Sequence, residues 1–435
     1  MDMKYESIKS IVLTILVINS MVLTYGIWTY QPDYSRTISS EETFESSIGV
    51  TKDVNTLIQP LKILYHQPEW TKGTVEAKEI NRIMREITAW PLSYLYQENK
   101  EDKEDGSQHE RIEIIFPDIV PSTTYGNVLG FREGISPPIF NFDRIEVELD
   151  TSILYFITPS GTNYKTEVDG DAVEELKEIL DSQNEQYVLY EKHTIKESVI
   201  YMPTDTTDLV IDYYTREEMG PEEFKNALFT DPDIVDLERS NNLDDYHDST
   251  SFMRWHTSFK WMRFVNVLEK RRWLSDSHLS KLLEGSISYV NRHEGWTDDY
   301  RYFQWNFTKS KISFRLFHKD YPVFTQKESD DIDLAAIELA WGSIENLREY
   351  SRPYFKLGDP LEEKGDVIED AITALDSIEA MLGDDELLQD VIIGYALKEY
   401  NGRNLIFNPE WYYRVNNRWK QLNEDELGGK PNRLE

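Results

Sequence analysis

The feature that most constrains the fold is an uncharged run of 21 residues near the N-terminus, Ser10 to Tyr30 (SIVLTILVINSMVLTYGIWTY). As an α-helix this run spans roughly 31 Å, because each residue adds about 1.5 Å. The hydrocarbon core of a bilayer is about 30 Å thick. Pro32 follows shortly afterwards and cannot continue a helix. The run therefore predicts one transmembrane helix ahead of a long polar remainder.

The two flanks of this run differ in charge. Two lysines precede it, whereas Arg36 is the one cation in the 20 residues that follow Tyr30. Cytoplasmic flanks are enriched in Lys and Arg, so we expect a cytoplasmic N-terminus, a single pass through the cell membrane and an extracellular C-terminal part. A cleaved signal peptide is the alternative, but its apolar region would be about 7 to 15 residues long. The predicted membrane-interface residues are Lys4, Lys9, Tyr25, Trp28 and Tyr30.

Polar and small residues inside the run are candidates for contacts with other membrane helices. The amide of Asn19, near the middle of the run, cannot hydrogen-bond to water there and gains by finding a partner helix. Ser10 with Thr14, and Ser20 with Thr24, have the spacing that allows two helices to approach closely. Back-bonding of Ser and Thr to the preceding helical turn explains the same spacing without any partner.

Composition excludes several classes of function for the rest of the chain. The formal net charge is -34, from 46 basic and 80 acidic residues, which argues against nucleic acid as a partner and against flat adsorption on anionic lipid. The absence of cysteine excludes disulfides, thiolate metal sites and a cysteine nucleophile. With 40% hydrophobic residues, the 435-residue chain has the composition of folded protein.

No motif of catalysis or cofactor binding is present. The sequence contains no H-E-x-x-H, G-x-S-x-G, Walker or G-x-G-x-x-G pattern, so we predict no metal, no cofactor and no enzymatic activity. Aromatic segments at Trp255 to Phe264 and Trp411 to Trp419 fit half-buried strands, although their rings also suit glycan binding. A domain that binds or hydrolyses cell-wall glycan is therefore the alternative function, since paired carboxylates are abundant.

Hydrophobic periodicity predicts an α+β fold, with three extracytoplasmic domains built on antiparallel sheets. Gly134 to Pro138 (GISPP) is the best candidate boundary, because Pro-Pro disfavours both helix and central strand. Asp171 with Glu174, and Asp366 with Glu369, are predicted capping boxes of similar helices, so the last two domains are expected to resemble each other. The predicted segments are a cytoplasmic N-terminus (1–9), the transmembrane helix (10–30), a stalk (31–50), three domains (51–136, 137–272 and 273–423) and a flexible tail (424–435).

The N-terminal block Met3 to Tyr34 resembles the start of the YycH (WalH) family in its Lys-Tyr-Glu lead, apolar span and Trp-Thr-Tyr-Gln-Pro exit. The segment Ile58 to His66 and the absence of cysteine agree with that resemblance. It implies a single-pass accessory protein of Gram-positive bacteria that acts with YycI on the sensor histidine kinase YycG (WalK). The kinase and its response regulator YycF (WalR) control cell-wall metabolism. The resemblance further implies that transmembrane helices hold the three proteins together, and that the last two domains share a fold.

Overall fold

The computed structural model describes residues 48–99, 109–196, 198–206, 209–325, 332–365 and 368–422, together with Leu13, Leu16, Val17, Ser20 and Met21. The chain divides into two compact units, residues 1–45 and 46–435. In the part of the chain that is described, no helix combines the length and the apolar character needed to cross a bilayer. Most of the predicted transmembrane helix, residues 10–30, lies outside the described residues.

The first sheet has nine strands and is antiparallel throughout, in the order β3-β7-β6-β5-β4-β1-β2-β8-β9. All five residues of its central strand β1 are buried, so both faces of the sheet are covered there. The strands are β1 (Lys62–His66), β2 (Thr71–Thr74), β3 (Tyr96–Asn99), β4 (Arg111–Pro121), β5 (Asn141–Glu148), β6 (Ile153–Ile157), β7 (Thr162–Glu167), β8 (Val188–Ile195) and β9 (Ser198–Pro203).

Two amphipathic helices pack apolar stripes against the core of this half. Helix α2 (Ala77–Ala89) buries Ile80, Ile83, Met84 and Ile87, a spacing that keeps all four on one helical face. Helix α4 (Gly170–Gln183) buries residues at similar intervals. Two short helices, α1 (Val54–Leu57) and α3 (Ser122–Tyr125), lie before β1 and after β4.

The second sheet contains fourteen strands. Twelve follow the order β11-β12-β13-β14-β19-β18-β16-β17-β21-β22-β10-β20, while β15 pairs with β16 and β23 with β22. The β17–β21 pair is parallel and the other pairs are antiparallel. The strands are β10 (Val210–Glu218), β11 (Asp236–Ser240), β12 (Leu243–His247), β13 (Ser251–His256), β14 (Trp261–Asn266), β15 (Tyr300–Asn306), β16 (Lys311–His318), β17 (Tyr321–Thr325), β18 (Ala336–Trp341), β19 (Leu347–Pro353), β20 (Phe355–Gly365), β21 (Leu388–Tyr400), β22 (Asn404–Val415) and β23 (Arg418–Gln421). Its helices are α5 (Pro221–Leu228), α6 (Leu279–Asn291) and α7 (Ala371–Met381).

The prediction of an α+β fold with antiparallel sheets is confirmed. The sheets cross both predicted domain boundaries, however. β4 and β5 lie on either side of residue 136 and are paired, and β14 and β19 lie on either side of residue 272 and are paired. The division into three domains, and the likeness of the last two, stay predictions.

The predicted capping boxes are wrong in their details. Helix α4 is capped by Asp169, whose carboxylate accepts a hydrogen bond from the Asp171 N–H. Helix α7 is capped by Asp370, which accepts from the N–H groups of Ile372 and Thr373, while Asp366 of the predicted box lies outside the described residues. Several acidic residues precede each helix, so the pattern alone does not decide which one is the cap.

Two partly buried ion pairs connect the sheets. Lys62 of β1 reaches Asp390 of β21 at 2.9 Å. Asp118 of β4 lies 3.2 Å from Arg414 of β22 and also accepts a hydrogen bond from the Trp305 N–H at 3.0 Å. The largest hydrophobic core likewise contains residues from both sheets. Residues 46–435 are thus held together by shared apolar packing and by charges satisfied across the sheet-to-sheet contact.

Candidate functional site: the N-terminal junction

The predicted helix-contact and interface residues fall almost entirely outside the described residues. Ser20 is described, and it is helical and exposed. Leu13, Leu16, Val17 and Met21 are also helical, and each is 47% exposed or more. Together with Ser20 they recur every three or four residues, which places them on one face of a helix. The nine predicted residues outside the description are Lys4, Lys9, Ser10, Thr14, Asn19, Thr24, Tyr25, Trp28 and Tyr30.

The aromatic segments belong to the core, as the strand interpretation predicts. Trp255 and Trp261 are each 4% exposed and Trp411 is 3% exposed. The Trp255 ring stacks on Tyr354 with 3.7 Å between ring centroids. Rings packed in this way are not available to stack on a glycan. Among the described residues, no group of three or more His, Asp or Glu side chains is arranged to hold a metal ion.

A cavity of about 300 Å³ lies between the sheets, and the two lysines on its wall are paired within the protein. Lys62 on its wall pairs with Asp390. Lys319, also on the wall, lies 3.0 Å from Asp212 and 2.9 Å from Glu363. Because both lysines are already paired, the cavity offers neither of them to an anionic ligand.

The most specific polar arrangement lies near the start of the compact unit 46–435. It consists of residues 48–52 and the segment Asn291 to Asp298, which they contact, and we call it the N-terminal junction. Val50 and Trp296 form an antiparallel bridge, with N–H···O distances of 3.0 and 3.2 Å in the two directions. The Ile48 N–H donates to the His293 carbonyl at 3.4 Å. Gly49 is required there, since a Cβ at this position would lie 2.3 Å from the Trp296 carbonyl oxygen.

Asn291, the last residue of α6, is the centre of the junction. Its side-chain oxygen accepts from the Lys52 N–H at 2.9 Å and from the Trp296 indole N–H at 2.7 Å. Its amide nitrogen donates to the Lys52 carbonyl at 2.9 Å. The Lys52 ammonium donates to the Asp298 carbonyl at 2.8 Å. The Asn291 amide thus pairs with both backbone groups of Lys52, as a neighbouring strand would.

Buried charge supports the loop that receives residues 48–52. Arg352 is fully buried and its guanidinium donates to the Gly295 carbonyl and, at 3.1 Å, to the Thr297 hydroxyl. Burial lowers the pKa of His293 to about 3, and the neighbouring cations Arg352 and Arg292 act in the same direction. Burial also lowers the pKa of Lys52, while the charge of Asp299 opposes that shift. The junction therefore holds residues 48–52 in a fixed, partly desolvated position.

Sequence reasoning missed this junction. It assigned residues up to Val50 to a stalk, and it placed residues 51–136 and 273–423 in separate domains. Lys52 and Asn291 are 239 residues apart, and no local pattern links them. The run Asn291 to Asp299 (NRHEGWTDD) is dense in polar residues around a glycine and a tryptophan, which is the one local signal of a structured loop.

Comparison with known proteins decides the family. A model described as "YycH protein, N-terminal domain" matches residues 6–185, and one described as "YycH protein, C-terminal domain" matches residues 197–426. The chain belongs to the YycH family. A relative in the same family, the "Two-component system WalR/WalK regulatory protein YycH" of Bacillus subtilis (strain 168), is 22% identical over 467 residues, covering 98% of each chain.

A solved structure shares the fold of this chain. The crystal structure of YycH from Bacillus subtilis superposes with a TM-score of 0.69 at 16% sequence identity, over 87% of this chain and 99% of that one. An uncharacterized protein from Eubacterium rectale ATCC 33656 reaches a TM-score of 0.31 over 54% of this chain. The two YycH models meet between residues 185 and 197, close to β8 and β9, the last strands of the first sheet.

Proposed function

We propose that this YycH-family chain is a membrane-anchored, non-catalytic regulator of the sensor histidine kinase WalK. It acts together with YycI through contacts between transmembrane helices. The observation that carries the proposal is the end-to-end match, over 98% of both chains, to a protein named as a WalR/WalK regulatory protein. The uncharged run Ser10 to Tyr30 supports the anchor, and the N-terminus is proposed to be cytoplasmic.

The polar positions of the run suit two different partner helices. A regular α-helix turns by about 100° per residue. On such a helix Ser10, Thr14, Ser20 and Thr24 share one face, and Asn19 lies on the opposite face. A face of small residues favours close backbone approach, whereas a single amide favours a hydrogen bond to a polar partner. We propose that the two faces contact WalK and YycI separately.

The N-terminal junction supports a role for the outer domain in this regulation. Any movement of the domain relative to the membrane reaches the anchor through residues 48–52. These residues are fixed by paired backbone hydrogen bonds and by the three bonds of Asn291. The fixed position of residues 48–52 defines where the chain leaves the outer domain, which supports the proposal that the domain acts on the anchor.

The test separates the two helix faces in the full-length chain. One variant carries Asn19→Leu and a second carries Ser20→Leu with Thr24→Leu. The control is Val22→Leu, which keeps an apolar residue apolar. Co-purification with WalK and with YycI from membranes is measured, along with expression of a WalR-dependent reporter.

Each face variant is expected to lose one partner preferentially and to change reporter expression, while the control behaves as the unmodified chain. Retention of both partners with unchanged expression would contradict the proposal.

The glycan-binding alternative loses its aromatic argument, since Trp255, Trp261 and Trp411 are buried. Its remaining support is the abundance of carboxylates. In a chain with 80 acidic residues, pairs of carboxylates arise by chance. Release of muropeptides from purified peptidoglycan by the full chain would restore that alternative.

A further inference from the structure

One exposed surface differs in composition from the rest of this acidic protein. It consists of the loop 267–273, which follows β14, and the turn 307–309 between β15 and β16, and we call it the basic-aromatic patch. Its sequence in the loop is VLEKRRW. The patch combines four exposed large apolar residues with four exposed cations. The apolar residues are Val267, Leu268, Trp273 and Phe307, and the cations are Lys270, Arg271, Arg272 and Lys309.

The two parts of the patch are held side by side. Ser310, which is fully buried, donates its hydroxyl to the Arg272 carbonyl at 2.8 Å and accepts from the Leu274 N–H at 2.9 Å. Arg271 reaches across the gap to the Thr308 carbonyl at 3.3 Å. The exposed residues are therefore presented by a fixed surface.

Within the described part of the chain, no contact covers the apolar residues of the patch. Trp273 is 77% exposed, and it is the one exposed tryptophan among those that the structure describes. Leu268 and Phe307 are 51% and 52% exposed. The adjacent Leu274, by contrast, is half-buried against the main core. Large apolar side chains concentrated at one exposed site mark an interaction surface.

The cations of the patch are also free to act on a partner. Among the described residues, no carboxylate forms a salt bridge with Lys270, Arg271, Arg272 or Lys309. The patch contains one acidic residue, the half-buried Glu269, and its carboxylate lies against Gly342. Charges of the net -34 act on a partner at the patch only within the screening length, which is about 8 Å at physiological ionic strength. An anionic surface that touches the patch is therefore attracted by these local cations.

We infer that the basic-aromatic patch docks on the anionic headgroup surface of the membrane. Tryptophan and large aliphatic residues beside Lys and Arg are the composition that favours the boundary between headgroups and acyl chains. A soluble anionic polymer would use the cations but would leave Trp273, Leu268 and Phe307 in water. The inference rests on the proposed membrane anchor, which keeps the domain near the bilayer. Docking gives the outer domain a second point of attachment and so fixes its orientation on the membrane.

The absence of cysteine makes a direct test possible in the full-length chain. Leu268→Cys creates a single site for a fluorophore, and Ile372→Cys on α7, where the native side chain is 58% exposed, provides the matched control. Both labelled chains are reconstituted in nanodiscs of phosphatidylcholine, with and without phosphatidylglycerol. The quencher is bromine on the lipid acyl chains.

Quenching at position 268 is expected in the anionic nanodiscs and not in the neutral ones, and the label at position 372 is expected to show none in either. Arg271→Glu combined with Arg272→Glu should abolish the difference between the two lipids, as should high salt. Circular dichroism confirms that this double variant is folded. Equal quenching at both positions, or no dependence on lipid charge, would overturn the inference. So would a response at position 268 to soluble polyglycerol phosphate in neutral nanodiscs, because it would indicate an anionic polymer.

The outcome is distinguishable from failure of the proposed function. If Arg271→Glu with Arg272→Glu abolishes quenching but WalK and YycI still co-purify, both the docking and the helix contacts stand. If the chain labelled at Leu268→Cys, with Arg271 and Arg272 unchanged, enters nanodiscs and shows no quenching, the docking fails and the regulatory proposal is untouched. If the chain does not enter nanodiscs at all, the anchor and the docking fail together.

Discussion

His293 stabilises the N-terminal junction only while its ring is neutral. The ring is 4% exposed, its Nε2 lies 3.2 Å from the Tyr350 hydroxyl, and its backbone carbonyl accepts from Ile48. Burial lowers the pKa of His293 to about 3, aided by the positive charges of Arg352 and Arg292. In the unfolded chain a histidine has a pKa of about 6.5. Between these two values the unfolded state binds a proton that the folded state excludes.

We therefore predict that the free energy of unfolding decreases as the pH falls below 6.5. The stabilisation that comes from keeping His293 neutral is complete at neutral pH. Between pH 6.5 and pH 5 the free energy of unfolding falls by about 1.5 kcal/mol on this account. Urea unfolding followed at several pH values measures it. In His293→Phe this part of the pH dependence should vanish, whatever the effect of the substitution on stability at pH 7. An unaltered dependence in the variant would show that His293 titrates normally in the fold.

Residues 48–52 are attached to the compact unit by backbone hydrogen bonds, and the Asn291 side chain adds two more to the backbone of Lys52. Asn291→Ala removes three hydrogen bonds and leaves the Lys52 N–H and carbonyl without these partners. Unpaired buried polar groups of this kind destabilise a fold by about 1 to 3 kcal/mol each. We predict a loss of about 2 kcal/mol, together with faster hydrogen exchange at the amide of Lys52.

The matched control for that substitution is Asn141→Ala, since Asn141 donates one exposed hydrogen bond, to the Asp276 carbonyl. Its effect should stay within about 0.5 kcal/mol, as for most surface changes. If Asn291→Ala were no more disruptive than Asn141→Ala, the Val50–Trp296 bridge and the bonds of Ile48 and the Lys52 ammonium would be enough to hold residues 48–52. Asn291→Asp, which keeps the acceptor and loses the donor, should fall between the two.

At the scale of the whole molecule, residues 46–435 are expected to unfold as one cooperative unit. Asp118 pairs with Arg414 and accepts from Trp305, so removing its carboxylate leaves the Arg414 charge buried without this partner. Breaking a buried pair in this way destabilises proteins by about 3 kcal/mol or more. Hydrogen exchange in increasing urea should show β6 of the first sheet and β21 of the second losing protection together. In Asp118→Ala the two should separate, with weaker coupling between the sheets.

Separate transitions for β6 and β21 in the unmodified chain would contradict this prediction. They would instead favour independent domains, as the sequence-based division into three domains implies. The Lys62–Asp390 pair offers a second, independent link for the same experiment.

The sequence by itself determined the elements whose stability is local. The spacing of Ile80, Ile83, Met84 and Ile87 predicts α2, because one helical face is enough to define it. The aromatic run around Trp255 predicts the β13–β14 hairpin by its alternation. Strands without apolar alternation were missed: every residue of β11 is exposed, and β20 is mostly exposed. Such strands exist because a neighbouring strand supplies their backbone hydrogen bonds, and their own sequence does not encode that neighbour.

Family membership also followed from the sequence, since the N-terminal block and the absence of cysteine can be recognised without coordinates. Only the tertiary structure decided which distant residues meet. The N-terminal junction joins residues 239 positions apart, and the basic-aromatic patch joins a loop to a turn about a buried serine. A net charge of -34 argues against nucleic acid and against flat adsorption on anionic lipid, yet folding gathers four exposed cations beside an exposed tryptophan. None of these cations forms a salt bridge with a carboxylate in the described part of the chain. Net charge is a sum over the chain, whereas binding depends on the charges within a screening length of the contact.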